Sequence, residues 1–150
     1  MFRRRLVLWG CAMLAAFALA GGVVNAEGTT LVQRSDGSSK TYRDVSIRLV
    51  GQTLWLRSAD HKGVLEIASG ACSFAGGLER CLPFKTTLHQ RGKTREIPLK
   101  RGTVYVNLTD AVDHLPHSSE PLAPHGILAH FETMHGTYVS VRGSLDQGKW

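Results

Sequence analysis

The chain has 150 residues, with 18 lysines and arginines against 12 aspartates and glutamates, seven histidines and a formal charge of +6. Three of the basic residues, Arg3 to Arg5, belong to an N-terminal targeting segment, and without them 15 basic side chains face 12 acidic ones, about +3. Such a balance gives no ground for polyanion binding by net charge, and nucleic acid is not an expected partner.

The targeting segment reads "MFRRRLVLWGCAMLAAFALAGGVVNA": a basic start, an apolar run from Leu6 to Ala20, then small residues ending in Val24, Asn25 and Ala26. This is the pattern of a cleavable secretory signal peptide over residues 1–26, with the cut after Ala26. Leu6 to Val24 also lacks charge and is long enough to compete as a membrane anchor, but the small-residue end favours removal. Cys11 would leave with it. The expected product, residues 27–150, is one β domain in the periplasm or outside the cell, with no later run apolar enough to span a membrane.

Along that domain "TTLVQ" is a weak strand candidate, and "SDGSSK" and "SADHKG" have turn compositions. Between the two turns, residues 42–58 alternate apolar and polar on both sides of Gly51-Gln52, a turn that joins antiparallel strands. Pairing outward sets Leu49 opposite Leu54 and Ile47 opposite Leu56, with Arg48 beside Trp55 and Ser46 beside Arg57 on the other face. "GVLEIAS" adds a strand with Leu65 and Ile67 inward.

In an exported chain the pair in "ACSFAGGLERC", Cys72 and Cys81, is expected to be a structural disulfide. Closing so short a loop contributes roughly 2–3 kcal/mol. Eight intervening residues argue against a redox C-x-x-C pair, and Gly76-Gly77 lacks the strand-to-helix context of a phosphate loop.

Residues 84–108 read as a three-stranded meander with tight turns at Arg91-Gly92 and Arg101-Gly102. That reading aligns Phe84 with Leu99 and Val104, Thr86 with Ile97 and Val106, and Leu88 with Arg95 and Leu108. Arg95 is the one charged residue on the apolar face, and Pro98 implies a poorly paired stretch. The basic turn residues Arg91, Lys93, Lys100 and Arg101 are candidate anion contacts, although the meander divides them between its two ends.

The segment "TDAVDHLPHSSEPLAPHG" has different chemistry. One helical turn near 110–115, capped by Thr109 or Asp110 and ended by Pro116, would let Asp110, Asp113, His114 and His117 converge, with His125 as a further ligand. Imidazole and carboxylate in that arrangement suit Zn²⁺ or Cu²⁺. In "GILAHFETMHGTYVSVRG" a hairpin with a three-residue loop, Met134 to Gly136, sets Phe131 opposite Val139 and Ala129 opposite Val141. His130 is then an outer strand residue and His135 a turn residue.

Eight or nine short strands with frequent glycine turns imply an all-β antiparallel sandwich or small barrel, with one short helical turn near 110–115 and one disulfide. No G-x-S-x-G, H-E-x-x-H or Walker loop is present. The functional expectation is therefore a non-enzymatic exported binding or accessory module, without a cofactor, whose partner is a protein or cell-envelope ligand. Two alternatives stand beside it: a periplasmic Zn or Cu protein using the 110–125 loop, and a small hydrolase with dispersed catalytic residues.

Overall fold

A computed structural model of the chain describes residues 23–60, 62–115 and 120–145. Its strands are, in order, β1 (Val23–Gln33), β2 (Ser39–Val50), β3 (Thr53–Arg57), β4 (Gly63–Ala75), β5 (Leu78–Gln90) and β6 (Lys93–Ile97). They continue with β7 (Leu99–Asn107), β8 (Asp113–His114), β9 (Pro121–Leu122), β10 (Gly126–Thr133) and β11 (Tyr138–Ser144).

Strands form where apolar alternation meets a turn residue able to reverse the chain. Gly51 takes φ 59°, and β2 and β3 pair with Leu49 opposite Leu54 and Ile47 opposite Leu56, as the alternation requires. Gly136 takes φ 85°, and β10 and β11 pair with Phe131 opposite Val139, Ala129 opposite Val141 and His130 opposite Ser140. Both registers put all their apolar partners inside, since a slip of one residue would turn each of them outward.

The strands close into an eight-stranded antiparallel barrel in the order β4-β3-β2-β1-β11-β10-β7-β5, with β4 pairing back onto β5. The sandwich alternative is thereby excluded. β6 continues the sheet outside that ring, beside the far end of β5. Inward residues from the ring form the core, among them Ile47, Leu54, Ile67, Val106, Ile127 and Val141. The Cys72–Cys81 disulfide joins directly opposed residues of β4 and β5.

Two details of the expected meander and loop are corrected. Arg101-Gly102 is not a turn: β7 runs through it, and the chain bends instead at Pro98, so β6 and β7 do not pair. Thr86 opposite Ile97 and Leu88 opposite Arg95 hold, but Phe84 is 64% exposed rather than aligned with Leu99 and Val104. Gly102 serves close approach; a Cβ there would lie 2.8 Å from the Cβ of Phe131 on β10. Nor does a helical turn form near 110–115. Asp113 and His114 are the two residues of β8, paired with Leu122 and Pro121 of β9.

β1 also begins earlier than "TTLVQ" suggests. Ala26 is fully buried opposite Ile47, and Asn25 accepts a hydrogen bond from Arg48 Nε at 3.3 Å, so the expected cut after Ala26 falls inside this strand.

Two stability measurements follow. Gly102→Ala should cost roughly 1–3 kcal/mol in denaturant unfolding through the clash with Phe131; an unchanged midpoint would contradict the close β7–β10 approach. A chain beginning at Glu27 should melt about 5 °C or more below one beginning at Gly21 in a circular-dichroism scan, having lost four residues of β1 and the packing of Ala26.

Candidate functional site

The barrel is filled unevenly. One end is packed, whereas at the other the inward residues leave an open cup of about 650 Å³, within the range of small-molecule sites. Its wall is built from alternate residues of successive strands: Val32, Val45, Leu56, Leu65, Leu88 and Phe131. Val45, Leu56 and Phe131 are buried deep in the wall, while Val32, Leu65 and Leu88 are half-exposed nearer the opening. Thr30 Oγ1 is buried in the same wall without a hydrogen-bond partner.

Charge is concentrated around the mouth. Arg34, Lys40, Lys62 and Arg95 line it, against Asp60 and Glu96. Lys40 Nζ sits 4.7 Å above the Tyr42 ring, which holds that cation at the rim. Asp60 is engaged locally, accepting from Ser58 Oγ and from the Lys62 backbone N–H, and chiefly the Ser58 bond holds its carboxyl below the ordinary range. Arg95, the charged residue on an otherwise apolar face, points inward opposite Leu88 at the open end, where its guanidinium reaches water.

The histidine loop has another use. Asn107, fully buried at the end of β7, donates from Nδ2 to the carbonyls of Ala111, Leu122 and Ala123 and accepts from Thr109 N–H and Oγ1. These bonds fold residues 108–115 and 120–125 back over the outside of the barrel, where Leu115 and Leu122 cover Leu78, Tyr105 and Leu128. Glu120 pairs with Arg142 of β11 on the same side.

Within the loop His125 Nε2 meets Asp110 Oδ1 at 2.5 Å. Asp113 Oδ1 instead accepts the backbone N–H of exposed His114, and His117 lies outside the described residues. Among the described residues, no three ligand atoms of this loop lie within 4.8 Å of one another.

The basic turn residues are likewise dispersed. Arg91 and Lys93 flank the β5–β6 turn and Lys100 and Arg101 lie beyond Pro98, the length of β6 away, about 17 Å. Arg101 Nε already donates to Glu132 Oε2 at 2.9 Å. None of the four lines the cup.

On the outer wall, His130 lies between the rings of Tyr105 and Tyr138, and burial pushes its pKa down. His89 stacks on Trp55 at 5.6 Å and contacts Glu66 Oε1 at 2.9 Å.

The sequence reading missed Glu79. It is 2% exposed, two residues before Cys81 on the same inward face, and burial raises its pKa from the ordinary 4.5 to about 7. Its Oε1 lies 3.0 Å from Cys81 Sγ, and its Oε2 has no partner. A disulfide sulfur carries no hydrogen, so this bond exists only while the carboxylic acid donates its O–H. The signal was present in "LERC", since a residue two before a disulfide cysteine in a strand shares that cysteine's face.

Raising an acid's pKa on folding makes the unfolded state the better proton donor. Stability is therefore fullest below about pH 4.5 and falls as pH rises to about 7, by about 3 kcal/mol in all. Glu79→Gln should remove that fall: equal urea stability to the wild type near pH 4 and a gain of up to about 3 kcal/mol at pH 8, both with the disulfide intact. A variant less stable than wild type at pH 8 would contradict the buried acid. The chain matches no known family model, and neither a curated protein nor a solved structure is detectably similar to it.

Proposed function

We propose that the protein is an exported, non-enzymatic binding module whose ligand is an amphiphile: an apolar chain seated in the barrel cup and an anionic head held at its mouth. The observation that carries this reading is the pairing of an open apolar cup with a rim where four cations face two carboxylates. An eight-stranded barrel has an interior wide enough either to be filled by side chains or to hold one small ligand. The half-exposed Leu65, Leu88 and Ile97 favour the second use at this end.

The rim supplies orientation. Cations at the edge of a low-dielectric cavity attract an anionic group while the wall accepts the apolar remainder. Thr30, with its unpartnered hydroxyl, offers a hydrogen bond inside the cup, where a polar atom of the ligand would be buried without one. The described residues of the 108–125 loop lie outside this site, since Leu115 and Leu122 pack on the outer wall.

Titration with a dansyl-labelled eleven-carbon fatty acid and with its uncharged methyl ester tests the proposal. Both should bind saturably, the acid more tightly. Arg95→Glu combined with Lys62→Glu should weaken the acid about ten-fold while leaving the ester nearly unchanged, the loss of about 1.4 kcal/mol of head-group attraction. Leu88→Trp should fill the cup and abolish binding of both. Absence of saturation, or tight binding that survives Leu88→Trp, would overturn the reading.

A further inference from the structure

We propose that Cys72–Cys81 is a thiol–disulfide exchange site for a dithiol, in which Cys72 is the sulfur attacked, Cys81 is the leaving group and Glu79 protonates Cys81 as it leaves. The site lies at the end of the barrel away from the cup, so it stands independently of the amphiphile proposal. Three features of the geometry carry it.

The first is asymmetric access. β3 pairs with β4 as far as Ala68, and among the described residues β4 beyond Ser69 pairs with β5 alone, which leaves one of its edges open. Cys72 is accordingly half-buried, whereas Cys81, between β4 and β7, is 5% exposed. Exchange proceeds at the sulfur a thiolate can reach.

The second is the leaving group's surroundings. A Cys81 thiolate would emerge beside Val104, in apolar surroundings that disfavour charge on sulfur. The third is the donor: Glu79 Oε1 is already 3.0 Å from that sulfur, buried, and in its acid form when it bonds there. β4 faces Glu79 with Phe74 and Cys72 and β7 with Val106 and Val104. The interior beyond is apolar, with Val24, Ala26, Leu49, Leu54, Ile67 and Ile127. The cysteines are the sole ionisable groups in that set.

The reaction balances. One thiolate of the dithiol bonds to Cys72 Sγ, the S–S electron pair passes to Cys81 Sγ, and the Glu79 proton follows it. The dithiol's second sulfur then attacks its own mixed disulfide and its proton goes to Cys72. A cyclic disulfide, two protein thiols and a Glu79 carboxylate remain, and water returns the proton to Glu79.

The test uses the full oxidised chain and dithiothreitol between pH 5.5 and 9, with thiols trapped over time. Divided by reductant thiolate concentration, the wild-type rate should hold steady at low pH and fall roughly ten-fold or more as Glu79 ionises near pH 7. Glu79→Gln should be slow and flat across the range. Separately, a monothiol such as N-acetylcysteine should leave its mixed disulfide on Cys72 by peptide mass mapping of the wild type, which requires no variant to fold. A mixed disulfide on Cys81, or a thiolate-corrected wild-type rate that does not change with pH, would overturn the proposal, as would a variant profile identical to the wild type.

Discussion

Closure of the sheet by β4 on β5 is the constraint on which the rest of this structure depends. The two strands stay paired from Gly63 opposite Gln90 to Ala75 opposite Leu78, and that seam converts an open sheet into a ring. Without it both strands would present unpaired backbone groups over much of their length, and the interior apolar face would lie open to water. The seam is not uniform. Register shifts around Ser69 let the far end of the hairpin swing past β3, and the disulfide ties that end where neighbouring support is one-sided.

Closure also fixes what each inward residue must do. Side chains alternate in and out along every strand, so the interior contents follow from the register, while the space available follows from strand number and tilt. Where Ile47, Leu54, Ile67 and Val106 meet, the apolar side chains bury one another. Toward Leu65, Leu88 and Ile97 side-chain volume falls short of the space, and the shortfall is the cup. Arg95 and Glu79 occupy inward register at opposite ends. Arg95 is exposed at the open end, whereas Glu79 is buried and keeps its proton to higher pH.

Much of this register was legible in the sequence. The β2–β3 and β10–β11 pairings follow from apolar alternation combined with one turn glycine each, two local signals that agree. Gly102 shows where locality fails. A glycine after a basic residue reads as a turn, yet its purpose is the approach of Phe131, which is 29 residues away in sequence and adjacent only once β7 and β10 pair. The cup was illegible for a related reason, since a cavity is a difference between two volumes and neither is a property of any one segment. Glu79 lay between these cases, because its face could be read from Cys81 but its burial required the ring.

The histidine-rich loop shows how a local fold departs from the one its sequence suggests. Asp110, Asp113, His114 and His117 would converge only if the backbone coiled there into the expected helical turn. Asn107 prevents that turn by engaging the carbonyls of Ala111, Leu122 and Ala123, which ties both described ends of the segment to β7. Leu115 and Leu122 gain burial by the same path, as a single turn of isolated helix could not bury both. Just before Leu115, Asp113 turns its carboxylate to the backbone N–H of exposed His114. The composition of the loop thus follows from covering an apolar patch with a proline-bounded strap. His114 sits exposed where the packing asks for no particular side chain, whereas Glu79, alone and unmarked by any motif, occupies a position where the packing determines its chemistry.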